Sequence, residues 1–275
     1  MVLIADSGST KTAWCGLQNG CCKQHLLTSG INPFYMNSDE IKKELEILST
    51  KIDGIVEQIY FYGAGVASPE KTAQLQTCFQ AVFPGVKIEA HTDLFGAARA
   101  LCGHEKGIVC ILGTGSNSCF YDGTDITDNV PALGFILGDE GSGAALGKKL
   151  VSDILKRQLP THLQRIFFEK YCLTKDMIME RVYRQPFPNR FLASFTDFLH
   201  EHQSESCIQS LLRESFDLFF VRNVMHYDFT QYPVHLLGSI AFYFQNIIRD
   251  TAQKRGVEIG LVAKTAIDGL IIYHS

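Results

Sequence analysis

The sequence has no long apolar run, no excess of basic residues and no low-complexity segment. No uninterrupted apolar stretch approaches the length of about 20 residues that a membrane-spanning helix needs. The formal net charge of −4 argues against nucleic acid or an anionic membrane as the main partner. We therefore expect neither a membrane nor a nucleic acid partner, and any affinity for phosphate has to be local.

Cysteines are present, but none of them form the C-x-x-C pair that is typical of zinc and redox sites. The nine cysteines are an odd number, and several lie inside apolar segments. The adjacent residues Cys21 and Cys22 are too closely spaced for a usual zinc half-site. Because no signal-peptide pattern is seen, we expect reduced thiols that pack as small hydrophobic residues in a cytoplasmic protein.

Length and composition are sufficient for two globular domains. The chain has 275 residues, of which 46% are hydrophobic and 20% are charged. Predicted strands alternate with predicted helices, such as Ser38–Leu48 and Ser68–Phe83, and this alternation favours an α/β fold with parallel strand pairs covered by helices. We predict an N-terminal domain over residues 1–105 and a C-terminal domain over residues 106–275.

A helical insertion is predicted in the C-terminal domain, at about residues 156–230. Its phenylalanines recur at spacings compatible with helices, which indicates a packed core. The same phenylalanine-rich helices are a candidate surface for a homodimer. They do not have the pattern of a cofactor site.

The first residues combine an apolar strand, an acid and a turn of small residues. Small residues let consecutive backbone N–H groups converge on an anion, and Asp6 at the strand end can hold a hydrated divalent cation. The pattern suits a nucleotide polyphosphate with magnesium, and the alternative is an ordinary hairpin turn. The candidate phosphate-binding residues are Ser7, Gly8, Ser9, Thr10 and Lys11.

A second copy of this pattern occurs at Cys110–Tyr121, which can be aligned with Leu3–Trp14. The repeat predicts a duplicated domain whose two turns would face each other across a cleft and bind phosphate together. Gly113 stands where the first copy has Asp6, so the metal site is assigned to the first half. The candidate residues of the second turn are Gly113, Thr114, Gly115 and Ser116.

Asp93 lies between a predicted strand and a predicted helix. Active sites gather at such strand ends, although an Asp at this position can also simply cap the helix. Asn32 lies in another loop after a strand, where its amide would contact a sugar hydroxyl or form a turn before Pro33. Gly65 ends the strand that begins at Gln58, and it is a further candidate for substrate binding.

Two adjacent carboxylates, Asp139 and Glu140, are embedded among glycines just before a predicted helix. They are candidates for substrate binding, and the alternative is that they cap the helix. Asn117, which follows the second turn, could reach the acceptor of a phosphate group. Gly238 and Ser239 come between a short apolar strand and a helix near the end of the chain.

Four motifs together resemble the BadF/BadG/BcrA/BcrD ATPase and N-acetylglucosamine kinase family. They are Asp6-Ser-Gly-Ser-Thr-Lys-Thr, His91-Thr-Asp-Leu-Phe-Gly-Ala-Ala, Leu112-Gly-Thr-Gly-Ser-Asn-Ser and Leu137-Gly-Asp-Glu-Gly-Ser-Gly. The resemblance covers nearly the whole chain, and the order of the motifs is the same. It implies an α/β fold of two duplicated actin-like (ribonuclease H-like) domains with a cleft between them.

The resemblance also implies roles for individual residues. It makes Asp93 the catalytic base of an ATP-dependent kinase that phosphorylates an amino sugar such as N-acetylglucosamine, with ATP and Mg²⁺ as cofactors. It places Asn32 on the sugar, Asp139 and Glu140 on the sugar and metal side, and the adenine nucleoside against Gly238 and Ser239. The chain departs from the family pattern at Pro33, where relatives often have His, and at Ala132-Leu133-Gly134, where they often have Trp.

Two other functions stay open at this point. One is the ATP-driven activator of 2-hydroxyacyl-CoA dehydratases within the same family, which holds an iron–sulfur cluster through two cysteines per subunit. The corresponding segment here, Gly138–Gly143, contains no cysteine. The other is a non-catalytic module that binds nucleotide and signals by domain closure.

Overall fold

A computed structural model describes residues 1–8, 11–66 and 68–275. Contacts among these residues divide the chain into two compact units. The first consists of Met1–Lys106, Tyr121–Ile126 and Thr265–Ser275, and the second consists of Gly107–Phe120 and Thr127–Lys264. The domain limits at residues 105 and 106 stay a prediction, and the contacts add that the C-terminal segment packs with the first unit.

The first sheet combines a meander with a parallel extension. Its strand order is β3-β2-β1-β4-β5. β1 runs antiparallel to β2 and parallel to β4, and β4 runs parallel to β5. The strands are β1 (Val2–Ser7), β2 (Lys11–Gln18), β3 (Cys21–Ser29), β4 (Gln58–Gly63) and β5 (Lys87–Thr92).

The second sheet repeats this strand order when it is read from the opposite edge. Its order is β10-β9-β6-β7-β8, and the pairs β6 with β9 and β9 with β10 are parallel. This repetition agrees with the duplication predicted from the two turn motifs. The strands are β6 (Gly107–Leu112), β7 (Ser116–Tyr121), β8 (Ile126–Asp128), β9 (Val234–Leu237) and β10 (Ile259–Ala263).

Helices follow the strands in both units, so the predicted α/β class is confirmed. The early helices are α1 (Ser38–Ser49), α2 (Pro69–Val82) and α3 (Asp93–Cys102). After β8 come α4 (Gly134–Leu137), α5 (Gly143–Leu155), α6 (Thr161–Tyr171), α7 (Lys175–Tyr183), α8 (Pro188–Ala193), α9 (Thr196–Glu201) and α10 (Ser206–Arg222). The last are α11 (Ser239–Tyr243), α12 (Gln245–Lys254) and α13 (Ile267–Tyr273).

Five helices of the described chain, α1, α2, α3, α5 and α7, begin where the sequence supplies a capping side chain. Ser68 caps α2 with its hydroxyl group, and a proline follows at the first helical position. Asn37 and Glu40 form a reciprocal capping box at α1. The sequence pattern had placed the cap of α1 at Ser38, one residue too late, because both residue types serve as caps.

Three local expectations from the sequence were wrong. The polar residues Thr124 to Asn129 predict a turn, but they contain the short strand β8. The sequence pattern predicts one helix after Ser239, from Ile240 to Lys254, but this segment is divided at Phe244 into α11 and α12. Cys15 and Cys22, expected to be reduced, form a disulfide, because a register shift after Gly16 brings their Cα atoms to 6.1 Å.

Each unit has its own hydrophobic core. In the first unit, Trp14, Phe61 and Phe79 pack together with the helices α1 and α2. In the second, buried phenylalanines of α6 to α10 pack on β6 and α5, as the spacing had predicted. They are Phe167, Phe195, Phe198, Phe216, Phe219 and Phe220. That the same helices form the surface of a homodimer stays a prediction.

Among the described residues, no helix is both long and apolar enough to cross a membrane.

The packing of α8 on α5 depends on the absence of a side chain at Gly147. A Cβ atom there would collide with the carbonyl oxygen of Leu192, which is backbone and cannot move aside. Alanine is a better helix former than glycine by about 1 kcal/mol, so helix propensity alone would make Gly147→Ala stabilising. A loss of stability would therefore report the collision with Leu192. We expect Gly147→Ala to lower the free energy of unfolding by about 1–3 kcal/mol, as in an overpacked core.

Chemical denaturation would measure this change. The control is Lys149→Ala on the exposed side of α5, which removes only the ion pair with Asp153 and should change stability by less than about 0.5 kcal/mol. Equal or higher stability of Gly147→Ala would contradict the close contact of the two helices.

Candidate active site

Two carboxylates lie at the same edge of the first sheet. In the parallel register of β1, β4 and β5, Ser7 is opposite Gly63, and Gly63 is opposite Thr92. Asp6 therefore lies at the carboxyl end of β1, and Asp93 follows the carboxyl end of β5. In open α/β sheets this edge is where ligands bind.

Asp93 is the first residue of α3, but the capping side chain of that helix is Thr92. The Thr92 hydroxyl oxygen accepts a hydrogen bond from the backbone N–H of Phe95 at 3.1 Å. The Asp93 carboxylate accepts one from the Leu94 N–H at 2.9 Å. A helix already capped by Thr92 does not need Asp93 for that purpose, so capping alone does not explain this carboxylate.

Burial raises the pKa of Asp93 to about 6, and the negative charge of Asp6 contributes to the increase. The Leu94 N–H opposes this shift only in part. A carboxylic acid with this pKa is largely ionised at pH 7 and is still basic enough to take a proton.

Asp6 is held by the C-terminal segment of the first unit. Its Oδ2 atom accepts a hydrogen bond at 3.0 Å from the N–H of Ala266, the residue before α13. Burial raises the pKa of Asp6, and the Ala266 N–H and the charge of Lys11 lower it in part. Ala266 was not a sequence candidate, because 260 residues separate it from Asp6.

A cluster of aromatic and basic side chains fixes the helices that carry this site. Arg99 of α3 donates a hydrogen bond to the Tyr62 hydroxyl group at 2.7 Å, and that hydroxyl lies 2.8 Å from His274 Nε2. The cluster thus joins α3, β4 and the end of α13. Burial lowers the pKa of His274 to about 4, so this imidazole is neutral at pH 7.

Asn32 and Gly65 are in contact. Asn32 is only 5% exposed, and its Oδ1 atom accepts a hydrogen bond from the Phe34 N–H at 2.9 Å. Gly65 has a φ of +81°, and a Cβ atom there would collide with the Asn32 side chain. The predicted turn at Asn32 is therefore present, and its role in sugar binding stays a prediction.

The first turn is described only in part. Ser9 and Thr10, both predicted to bind phosphate, lie outside the described residues. The Gly8 N–H donates to the Lys11 carbonyl at 3.1 Å, and Lys11 is exposed. The buried Ser7 hydroxyl group bonds to the backbone of Ile31, which ties the Asn32 loop to β1. The phosphate roles of Ser7, Gly8 and Lys11 are untested.

The second turn, Gly113 to Ser116, is supported by the beginning of α5. The N–H groups of Gly143 and Ala144 donate to the carbonyls of Gly113 and Thr114 at 2.8 and 3.0 Å. No described residue accepts a hydrogen bond from the backbone N–H groups of Thr114 and Gly115. These donors, next to the positive end of a 13-residue helix, can bind an anion.

Two glycines, Gly143 and Gly238, allow other segments to approach this turn closely. A Cβ atom at Gly143 would lie 3.2 Å from the Gly113 oxygen and 3.1 Å from the Cβ atom of Ala193. Gly238 has a φ of +118°, and a Cβ atom there would collide with the Leu112 carbonyl. Gly113, Gly143 and Gly238 therefore form one corner of the second unit, with Ser239 beginning α11 beside it.

Asp139 and Glu140 point in different directions. Asp139 is 8% exposed, and its Oδ1 atom accepts a hydrogen bond from the Ser116 N–H at 3.2 Å. Glu140 forms an ion pair with Arg222 Nε at 2.7 Å and contacts Asn223. Their sequence-derived assignment to the sugar stays a prediction. Arg222 and Asn223 had no signal in the sequence.

Asn117 is engaged within the second unit. Its Oδ1 atom accepts hydrogen bonds from the Ser118 N–H at 3.0 Å and from Asn129 Nδ2 at 3.1 Å. A role in contacting the acceptor is untested.

The chain is similar to several solved structures. It is 46% identical to the "Putative N-acetylglucosamine Kinase" from Porphyromonas gingivalis, over 100% of this chain and 98% of that chain, with a TM-score of 0.96. The protein of the same name from Chromobacterium violaceum is 17% identical over 100% and 98%, with a TM-score of 0.79. A ROK family glucokinase from Streptomyces griseus, in complex with glucose and AMPPNP, is 15% identical over 99% and 97%, with a TM-score of 0.58.

The last two similarities show the fold alone, and they agree with the predicted pair of actin-like halves. No protein-family model matches the chain, and a search of curated proteins finds no match.

The raised pKa of Asp93 has a consequence for stability. The folded state binds its proton up to about pH 6, whereas the unfolded state loses it near pH 4, so ionisation of Asp93 destabilises the fold as pH rises through this window. Two pKa units correspond to roughly 3 kcal/mol at most. We expect Asp93→Asn to raise the free energy of unfolding at pH 7 by about 1–3 kcal/mol and to have no such effect near pH 4.

Urea denaturation at both pH values would measure this difference. Asp122 is the control, because N–H groups of Asp125 and Thr124 lower the pKa of its carboxyl group. Asp122→Asn should have the opposite sign and lose stability at pH 7. A loss of stability in Asp93→Asn at pH 7 would refute the argument.

Proposed function

Since the chain belongs to the N-acetylglucosamine kinase-like family of BadF/BadG/BcrA/BcrD ATPases, we propose that it is an ATP-dependent kinase that phosphorylates a hydroxyl group of an amino sugar such as N-acetylglucosamine. The observation that carries the proposal is the buried Asp93 carboxylate, with a pKa of about 6, at the ligand-binding edge of the first sheet.

Asp93 acts as the general base. It orients the acceptor hydroxyl group and takes its proton late in the transfer, because phosphoryl transfer has a loose transition state. The hydrogen bond from the Leu94 N–H and the cap by Thr92 keep the carboxylate in position. Asn32, held against Gly65, binds a hydroxyl group of the sugar and orients the ring.

The second unit binds the nucleotide phosphates. The free N–H groups of Thr114 and Gly115 and the beginning of α5 offer fixed donors to the phosphate oxygens. Because these donors are backbone groups held by the glycine corner, they need little reorganisation as charge moves toward the leaving oxygen.

Asp6 fits a magnesium ion. Mg²⁺ prefers oxygen ligands and usually binds through one or two carboxylates, substrate phosphates and several waters. The Asp6 carboxylate has its pKa raised by burial, and Asp93 is near enough for the two charges to interact. A divalent cation would relieve this repulsion. When bound, it neutralises part of the negative charge on the transferring phosphates.

The kinase is tested by an assay of ADP release with ATP and a panel of sugars. We expect release to depend on N-acetylglucosamine, glucosamine or a related hexosamine, with the phosphorylated sugar identified by mass spectrometry. Asp93→Asn should lower kcat by about 100-fold or more while ADP still binds. ADP release that is indifferent to every sugar and unchanged by Asp93→Asn would refute the proposal.

The pH dependence is a separate test. Since the base must be deprotonated, kcat/KM should be constant above about pH 7 and fall tenfold per pH unit below about pH 6. The measurement is a pH–rate profile with a saturating coupling enzyme. The residual activity of Asp93→Asn should lack this acidic limb, and a wild-type profile without the limb would exclude Asp93 as the titrating base.

A further inference from the structure

Tyr62 of β4 lies between the two strands that lead to Asp6 and Asp93. In the parallel register it is opposite Asp6 of β1 and opposite His91 of β5. Side chains at paired positions of parallel strands point to the same face of the sheet. The Tyr62 side chain is fully buried, and its ring stacks on the His91 ring at 5.7 Å. It is therefore on the sheet face that carries the Asp6 side chain.

The Tyr62 hydroxyl group joins two helices. It accepts a hydrogen bond from Arg99 Nη1 of α3 at 2.7 Å and lies 2.8 Å from Nε2 of His274, the residue after α13. Burial raises the pKa of Tyr62 to about 12 and lowers the pKa of His274 to about 4. At pH 7 the phenol is thus protonated and donates to the neutral imidazole while it accepts from Arg99. We call Arg99, Tyr62 and His274 the Tyr62 bridge.

Each of the two bridged helices positions one carboxylate at its beginning. α3 begins at Asp93, and α13 follows Ala266, whose N–H donates to Asp6 Oδ2 at 3.0 Å. We propose that Tyr62 is a positioning residue whose hydroxyl group fixes α3 relative to α13 and thereby sets the separation of the Asp93 and Asp6 carboxylates, an inference that rests on the proposed function.

Close packing lets the bridge act on both helices. A Cβ atom at Gly96 of α3 would collide with the Tyr62 side chain, and one at Gly269 of α13 would collide with the carbonyl oxygen of Ala100 in α3. Packed interiors of this kind have little room to absorb a displacement. A shift of α3 at the bridge is therefore passed on to α13 and to both ends that carry the site.

Stability alone does not account for the bridge. The half-buried Arg99 guanidinium lies over the Phe95 and Tyr273 rings at 4.4 and 4.9 Å. Its Nε atom has no hydrogen-bond partner among the described residues, and an unpaired buried donor costs free energy. An apolar side chain of similar volume would avoid this cost. Connected polar groups specify one geometry instead, and a reaction centre needs its groups in place to within about 0.5 Å.

Tyr62→Phe tests the proposal, because it removes the hydroxyl group and keeps the ring. We expect kcat to fall about tenfold while the KM values for ATP and sugar change less than about twofold, since a displaced base affects the transition state more than substrate binding. Amide hydrogen exchange is the second readout, with no nucleotide, sugar or metal present. Relative to the Leu45 amide in α1, the Ala266 amide should exchange about tenfold faster, because α13 is no longer held against Asp6.

The matched control is Tyr60→Phe. Tyr60 is on the same strand and its ring stacks on His274 at 3.9 Å, but its hydroxyl group lies outside the bridge. This variant should keep kcat and Ala266 exchange within about twofold of the wild type. Circular dichroism and thermal unfolding establish that each variant is folded.

Variants of Arg99 test the bridge from its other side. Lysine keeps a positive donor at this position and methionine does not, so Arg99→Lys should retain more of kcat and of Ala266 protection than Arg99→Met. This pair carries the test if Tyr62→Phe does not fold.

The outcomes separate this proposal from the proposed function. In an active kinase, an unchanged kcat in folded Tyr62→Phe overturns it, and so does a lower kcat without faster Ala266 exchange. Equal losses in Tyr62→Phe and Tyr60→Phe also overturn it, because they would assign Tyr62 to packing alone. If the wild type phosphorylates no sugar but Ala266 exchange rises selectively in Tyr62→Phe, the kinase proposal fails and the positioning of α13 on Asp6 by the bridge stands.

Discussion

The burial of an ionisable carboxylate at the edge of the first sheet is the constraint on which this structure depends. Asp93 has a pKa of about 6 because burial and the charge of Asp6 both oppose its ionisation. The Leu94 N–H offsets this in part, while the Thr92 cap and the hydrogen bond from Arg99 to Tyr62 hold α3 in position. Carboxylates whose pKa is raised by burial cluster at functional sites, which is why Asp93 is the candidate base.

In the proposed function, the second unit binds a polyanion, the phosphates of the nucleotide. It does so with backbone groups, because glycines at positions 143 and 238 let the beginning of α5 and the end of β9 approach the second turn closely. Backbone donors of this kind are fixed before the ligand arrives, and they carry no side-chain entropy. In the proposed kinase the first unit supplies the base and the sugar contact, and the second supplies the nucleotide site. Each sheet is built on the same strand order.

Local patterns predicted much of this arrangement. The strand, turn and strand repeats identified β1 with β2 and β6 with β7. The family resemblance, together with the position after β5, singled out Asp93. The errors were equally local in origin. Asn37 and Ser38 are both good capping residues, so the sequence did not distinguish them, and a short edge strand such as β8 has too few residues for a periodic pattern.

The sequence by itself determined the α/β fold class and the two turns, because these features depend on apolar periodicity and on small residues within a few positions of one another, and the resemblance of its motifs to a known family singled out Asp93 as the candidate base. Only the tertiary structure decided which residues from distant parts of the chain contact the candidate site residues. The Ala266 N–H on Asp6, Arg222 on Glu140 and the contact of Ala193 with Gly143 all join residues far apart in the chain. Such pairs follow from the packing of whole helices and strands, which no short stretch of sequence encodes.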